Sequence, residues 1–149
     1  MGFFDGAAQQ QGCGGGILFH LSESHYFQIS MGLGLGTNNH AELISLRHLL
    51  YFAITKNCRN LQIFGDSKNN NNVVCSAYSL KNILEEIVFF KTFFYQISIS
   101  HIYRERNGTA DRLSKEAMHR PLGEWMITEF SLAGTYQCFH RPYIDGALQ

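Results

Sequence analysis

The order of the apolar segments is the feature that most constrains how this chain of 149 residues can fold. Five segments alternate or form short compact runs, as β-strands do, and three others repeat apolar residues at helical spacing. The predicted strands are residues 2–8, 17–20, 25–31, 61–65 and 94–103, and the predicted helices are residues 38–56, 76–90 and 107–119. Three strands followed by alternating helices and strands predict an α/β fold in which helices pack on a mixed sheet.

Local signals mark where some of these elements begin and end. The glycines between positions 12 and 16 are expected to form a turn before the second strand, because glycine adopts turn conformations without steric cost. Thr37 precedes the first helix, where its hydroxyl can accept a hydrogen bond from a free backbone N–H. Residues 120–149 have no clear pattern, and either a further strand or a cover over an exposed face is compatible with them.

Composition restricts the classes of function. With 12 Lys and Arg against 12 Asp and Glu, the net charge is zero, so a nucleic-acid partner would have to be held by a local patch. The four cysteines form no CxxC pair, which argues against a zinc ribbon. No secretory signal or membrane-spanning run is visible, so we expect an intracellular protein of the cytoplasm or nucleus with no membrane partner.

Four acidic residues occupy positions where burial is expected. Asp5 is inside an apolar strand, and Asp66 ends a compact one. Asp111 opens the last predicted helix, and Glu42 lies on or beside the apolar face of the first. Structural interpretations exist for each alone, such as a strand edge for Asp5, a turn or helix cap for Asp66 and a favourable helix dipole for Asp111.

Taken together, the four carboxylates favour a chemical role. If the first and fourth strands are neighbours, Asp5 and Asp66 converge, and converging carboxylates repel one another unless cations lie between them. Carboxylate oxygens suit Mg²⁺ or Mn²⁺. Two such ions about 4 Å apart can activate a water and stabilise the leaving oxygen of a phosphodiester.

The sequence around these residues resembles four motifs of type 1 ribonuclease H. The motifs are Phe4-Asp5-Gly6-Ala7, residues 36–43 (GTNNHAEL), Phe64-Gly65-Asp66-Ser67 and residues 104–111 (RERNGTAD). The resemblance covers about residues 2–119 and is to the compact form found in archaeal and plant retroelement-derived proteins. Each motif alone is weak, whereas all four in this order are highly specific.

The resemblance implies a ribonuclease H-like α/β fold with a five-stranded mixed sheet, in the order 3-2-1-4-5, and helices on both faces. Residues 1–119 would form this domain, and residues 120–149 a C-terminal extension. The implied reaction is hydrolysis of the RNA strand of an RNA–DNA hybrid with two Mg²⁺ (or Mn²⁺) ions. The family's catalytic and metal-binding carboxylates match Asp5, Glu42, Asp66 and Asp111.

The same resemblance assigns residues around the carboxylates. Arg104 is the further catalytic candidate, preferred to His101, which lies within a predicted strand. The residues expected to contact the nucleic acid are Thr37, Asn38, Asn39, Ser67 and Asn107. Accessible 2′-hydroxyls in the minor groove of the hybrid would let a neutral protein recognise RNA by shape.

Two departures from the family are expected to lower the catalytic rate. Only four residues precede Asp5, and Lys68 and four asparagines follow Asp66, where the family usually has an apolar helix face. A catalytically weakened or inactive, nucleic-acid-binding remnant of a retroelement is therefore the alternative function. An interaction domain without a nucleic-acid role is a third. We expect either a monomer or a part of a larger retroelement polyprotein.

Overall fold

The computed structural model describes residues 1–66 and 78–140. Three antiparallel strands open the chain and helices alternate with strands after them, as the apolar pattern predicts. The strands are β1 (Gly2–Gln9), β2 (Gly12–His20), β3 (Tyr26–Gly34), β4 (Asn60–Asp66), β5 (Gln96–Ile102), β6 (Trp125–Ser131) and β7 (Gly134–His140). The helices are α1 (Asn38–Thr55), α2 (Tyr78–Lys91) and α3 (Gly108–Ala117), with a short 3₁₀ turn at Arg104–Arg106. The asparagine run after Asp66 lies outside the described residues.

The described strands form a single mixed sheet in the order β5-β4-β1-β2-β3-β6-β7. Its first five members have the predicted order, but the prediction of five strands was wrong, because β6 and β7 extend the sheet beyond β3. β6 pairs antiparallel with β3 from Tyr26↔Phe130 to Met31↔Trp125. The backbone N–H and C=O groups along the outer edge of β3 are satisfied by this pairing, which leaves β7 as the edge strand.

The predicted glycine turn was also wrong, because residues 12–16 form the first half of β2. These glycines allow helices to pack closely against β2. A Cβ on Gly16 would lie 2.6 Å from the backbone nitrogen of Ser114 in α3 and would overlap the carbonyl oxygen of Ala110. A Cβ on the next residue back, Gly15, would instead overlap the hydroxyl of Ser45 in α1. Since successive strand residues point to opposite faces, α1 and α3 pack on opposite sides of the sheet.

The main core lies between α1 and the sheet. Side chains that are completely or almost completely buried there include Ile17, Phe19, Ile29, Met31, Leu49 and Ile63. Thr37 caps α1 as predicted, because its hydroxyl accepts a hydrogen bond from the backbone N–H of His40 at 3.1 Å. An ion pair between Arg47 and Glu86 connects α1 with α2.

Residues beyond α3 are anchored to this core. Trp125, at the start of β6, is 2% exposed, and its ring lies 4.7 Å from the ring of His48 in α1, measured between centroids. Arg120 donates a hydrogen bond of 3.0 Å from Nε to the hydroxyl of Ser30 in β3. Burial of a large aromatic side chain is a substantial source of stability, so β6 is an integral part of the sheet.

We predict that Gly16→Ala destabilises the protein by roughly 1–3 kcal/mol or more, because the added methyl group forces α3 away from β2. Urea unfolding followed by circular dichroism measures the change. Gly108→Ala is the matched control, since a Cβ at Gly108 meets nothing within 4 Å and alanine favours the first turn of α3. Equal stability of Gly16→Ala and the wild type would contradict the packing described for β2 and α3.

Candidate active site

Four different elements supply the four carboxylates. Asp5 lies in the middle of β1, and Asp66 is the last residue of β4. These strands are parallel neighbours with Gly2↔Ile63 and Phe3↔Phe64 as partners, and continuing that register brings Asp5 beside Asp66. Parallel pairing of β1 and β4 therefore joins the first two members of the predicted site.

The helices bring in the other two carboxylates at points where the sheet has glycine. A Cβ on Gly6, the neighbour of Asp5, would overlap the backbone nitrogen of Glu42, so α1 approaches β1 at this residue. On the other face, Gly16 is the β2 partner of Asp5 and touches α3 at Ala110, immediately before Asp111. The absence of side chains at these two positions allows Glu42 and Asp111 to come close to Asp5.

The electrostatics of Asp5 reflect this convergence. Its side chain is 4% exposed, and burial together with the negative charge of Asp66 raises its pKa to about 7. Smaller repulsions from Glu42 and Asp111 act in the same direction. The backbone N–H of Gly6 donates to Oδ1 of Asp5 at 2.8 Å and opposes the rise. The charges of Asp66, Glu42 and Asp111 thus all raise the pKa of one buried aspartate.

Nearby donors compensate two of the other carboxylates. Asp66 is buried, with Oδ1 accepting a hydrogen bond of 2.9 Å from the amide of Asn107 and Oδ2 lying 3.6 Å from Nε of Arg104. Asp111 lies 3.1 Å from Nζ of Lys115. Lys115 was not a sequence candidate, although its spacing of four residues from Asp111 in a helix is a signal that could have identified it.

The donor types in this cluster fit Mg²⁺ or Mn²⁺, which prefer carboxylate oxygens, and a cation would relieve the repulsion at Asp5. As the side chains stand, however, no group of three or more His, Cys, Asp or Glu residues within 1–66 and 78–140 is arranged to hold a metal ion. Arg104 and Lys115 supply positive charge to Asp66 and Asp111 instead. The residues fit the ion in chemistry, because Asp66, Glu42 and Asp111 all act on the buried carboxylate of Asp5.

The other sequence candidates fall into three groups. Thr37, Asn38 and Asn39 are exposed at the start of α1, on the helix that also carries Glu42. Ser67 lies outside the described residues. Asn107 is 1% exposed, which leaves little of its side chain for the expected contact with nucleic acid, and that contact stays a prediction. In this buried position its side chain donates two hydrogen bonds, to Phe4 and Asp66.

Arg104 and His101 both lie next to Asp66. The Arg104 side chain is 55% exposed, and its guanidinium lies against the Asp66 carboxylate. His101, in β5, is exposed and places Nδ1 3.2 Å from the backbone oxygen of Asp66. Arg104 therefore lies against the carboxylate of Asp66, whereas His101 lies against its backbone oxygen.

Solved structures with the same architecture define the class of fold as ribonuclease H-like. Ribonuclease H1 of Halobacterium salinarum is 24% identical with a TM-score of 0.69 over 78% of this chain and 94% of that one. The N-terminal ribonuclease H domain of a Mycobacterium tuberculosis protein is 22% identical with a TM-score of 0.64 over 78% and 98%. LC11 ribonuclease H1, crystallised with an RNA/DNA hybrid, is 24% identical with a TM-score of 0.59 over 78% and 94%.

A family described as reverse transcriptase-like matches residues 3–117, and the chain belongs to this ribonuclease H family. No curated protein matches the chain. The family match includes β1 to α3 and ends before β6. Of the helices in the described part of the chain, none has the length and apolar character needed to cross a membrane.

The raised pKa of Asp5 predicts a specific pH dependence of stability without divalent ions. The folded protein retains the Asp5 proton up to about pH 7, whereas the unfolded chain releases it near pH 4. The stabilisation associated with that proton is therefore complete below about pH 4 and is lost as pH rises through 7. The Asp5→Asn protein has no carboxyl group to ionise at this position and so does not suffer this loss. At pH 8 its free energy of unfolding should be about 2 kcal/mol higher than that of the wild type.

Urea unfolding at pH 5 and pH 8 in the presence of a chelator measures the effect. Glu23→Gln, in the exposed loop between β2 and β3, is the control for loss of one carboxylate charge. An Asp5→Asn protein that is less stable than the wild type at pH 8 would contradict the electrostatic account of the site.

Proposed function

We propose that the chain is an endonuclease that hydrolyses the RNA strand of RNA–DNA hybrids, with two Mg²⁺ or Mn²⁺ ions as cofactors. The observation that carries the proposal is the buried carboxylate of Asp5, on which three further carboxylates from three other elements act. Such an arrangement is unfavourable for stability and is typical of a site that binds cations.

Asp5, Glu42, Asp66 and Asp111 would hold the ions. Asp5 is the buried carboxylate on which the other three act. Ions held there would supply activation of a water nucleophile and stabilisation of the leaving oxygen. The protein holds the carboxylates on two strands and two helices, and limits solvent at Asp5 and Asp66.

The start of α1 is the proposed contact for the sugar–phosphate backbone. Thr37, Asn38 and Asn39 are exposed there, and free N–H groups of a first helical turn face anions favourably. Arg104 adds an exposed positive charge beside Asp66, where it can contact the scissile phosphate or assist release of the product. A local patch of this kind is compatible with the zero net charge of the chain.

The LC11 relative was crystallised with an RNA/DNA hybrid, which supports the choice of substrate. We assign the activity to residues 1–119, because the family match ends at residue 117. Residues 120–149 would then be an extension whose described part, β6 and β7, adds to the sheet without contributing a carboxylate to the site.

One observation favours a second candidate, a non-catalytic remnant that binds nucleic acid. Lys115 lies against Asp111, and Arg104 lies against Asp66. Among the described residues, no group of three metal-ligating side chains is arranged to hold an ion. If these positive charges permanently replace the ions, the folded protein would bind hybrids and leave them uncut.

A cleavage assay on a labelled RNA–DNA hybrid decides between the two functions. The wild type should cut the RNA strand with Mg²⁺ and not with a chelator, and Asp5→Asn should lower kcat by at least about a hundredfold. Since Asp5→Asn is expected to be the more stable protein at pH 8, its inactivity cannot be attributed to unfolding. Glu23→Gln should cut at the wild-type rate. A folded wild type that retards the hybrid in a gel and never cuts it would favour the remnant.

A further inference from the structure

Asn107 lies at the start of α3, between the strands that carry Asp5 and Asp66. Its amide nitrogen donates two hydrogen bonds, one of 3.0 Å to the carbonyl oxygen of Phe4 and one of 2.9 Å to Oδ1 of Asp66. Because both partners are acceptors, only the NH₂ half of the amide can lie between them, which fixes its orientation. The side chain thereby connects the β1 backbone next to Asp5 with the carboxylate at the end of β4.

This orientation is unfavourable for Asn107 and for its helix. An asparagine at the N-cap normally accepts a hydrogen bond from a backbone N–H of the first turn, yet the Asn107 side chain makes no such bond to α3. Its Oδ1 is buried and has no hydrogen-bond partner among the described residues. Buried polar atoms without partners are rare, because they lose water without compensation. The two hydrogen bonds donated to Phe4 and Asp66 offset this loss, so the amide is committed to β1 and Asp66 and not to its own helix.

We propose that Asn107 is a positioning residue that fixes the Asp66 carboxylate for the divalent ions. This inference rests on the proposed function, since it gives Asn107 a role only if Asp66 is a metal ligand. With Oδ1 held by the buried amide, the carboxylate cannot rotate freely, and Oδ2 remains on the side of the exposed Arg104, where an ion can reach it. Groups that orient a ligand in this way typically change metal affinity or activity by about 10–100-fold when removed.

The first test uses Mg²⁺ alone as the probe. The melting temperature Tm of the full chain is measured against MgCl₂ concentration for the wild type, Asn107→Ala and Ser30→Ala. Ser30 is a matched control because it is also buried and its side chain takes part in one hydrogen bond of 3.0 Å, far from Asp66 in the sheet order. The Mg²⁺ concentration at half of the Tm rise should increase about 10–100-fold in Asn107→Ala and less than about twofold in Ser30→Ala.

The second test separates kcat from KM on the hybrid. Asn107→Ala should lower kcat about 10–100-fold with KM within about threefold, since the side chain is too buried to meet the substrate. A rise in KM with unchanged kcat would instead identify a nucleic-acid contact and overturn the positioning role. Unchanged Mg²⁺ dependence in a folded variant would overturn it as well. Asn107→Ser, which keeps a short donor, replaces the alanine variant if that protein does not fold, with a smaller loss expected.

The two tests keep this proposal distinct from the proposed function. A wild type that binds Mg²⁺ and does not cut hybrids contradicts the nuclease, while the Mg²⁺ titration still decides the role of Asn107. A wild-type Tm that is independent of Mg²⁺ overturns the positioning role directly, because no ion is then present for Asp66 to receive.

Discussion

The repulsion between a buried Asp5 and three neighbouring carboxylates is the constraint around which the rest of the structure is arranged. Burial alone makes an ionised aspartate costly, and the charges of Asp66, Glu42 and Asp111 add to that cost. A fold selected only for stability would place an apolar residue at this point of its central strand. The protein instead places Lys115, Arg104 and Asn107 next to the surrounding carboxylates, which lowers the repulsion while keeping the acidic oxygens together.

Glycine makes this convergence geometrically possible. Gly6 follows Asp5 in β1 and lies against the backbone of Glu42, whereas Gly16 pairs with Asp5 in β2 and lies against the residue before Asp111. Two helices on opposite faces therefore approach the sheet most closely on either side of one aspartate. A larger residue at either position would separate the helix from the strand and its carboxylate from Asp5.

Much of this architecture follows from local sequence signals, and the missed parts follow from contacts between distant residues. The order of strands and helices and the Thr37 cap depend on periodicity and near neighbours, which one sequence reveals. Glycine at positions 14 and 16 is required by close contact with α3, almost a hundred positions away, and at position 15 by contact with α1. β6 and β7 carry no strong alternation, and their pairing is determined by the open edge of β3.

The candidate site also combines features that follow from local sequence signals with features that depend on contacts between distant residues. The identities of the four carboxylates could be predicted, because charged residues in apolar segments stand out in a sequence. The orientation of Asn107 could not, since a residue at an N-cap position is expected to cap its own helix. Only the tertiary structure reveals that its amide is directed toward Asp66 and Phe4.

Helix α1 links the candidate site to the part of the chain that lies beyond the family match. Its first half carries Glu42 next to Asp5, and His48, less than two turns further on, packs against Trp125 of β6. Arg47 connects the same helix with α2 through Glu86. Since α1 is rigid over such a short distance, the packing of Trp125 also restrains the position of Glu42 relative to the sheet. β6 and β7 thus extend the sheet, and β6 supports the helix that carries Glu42.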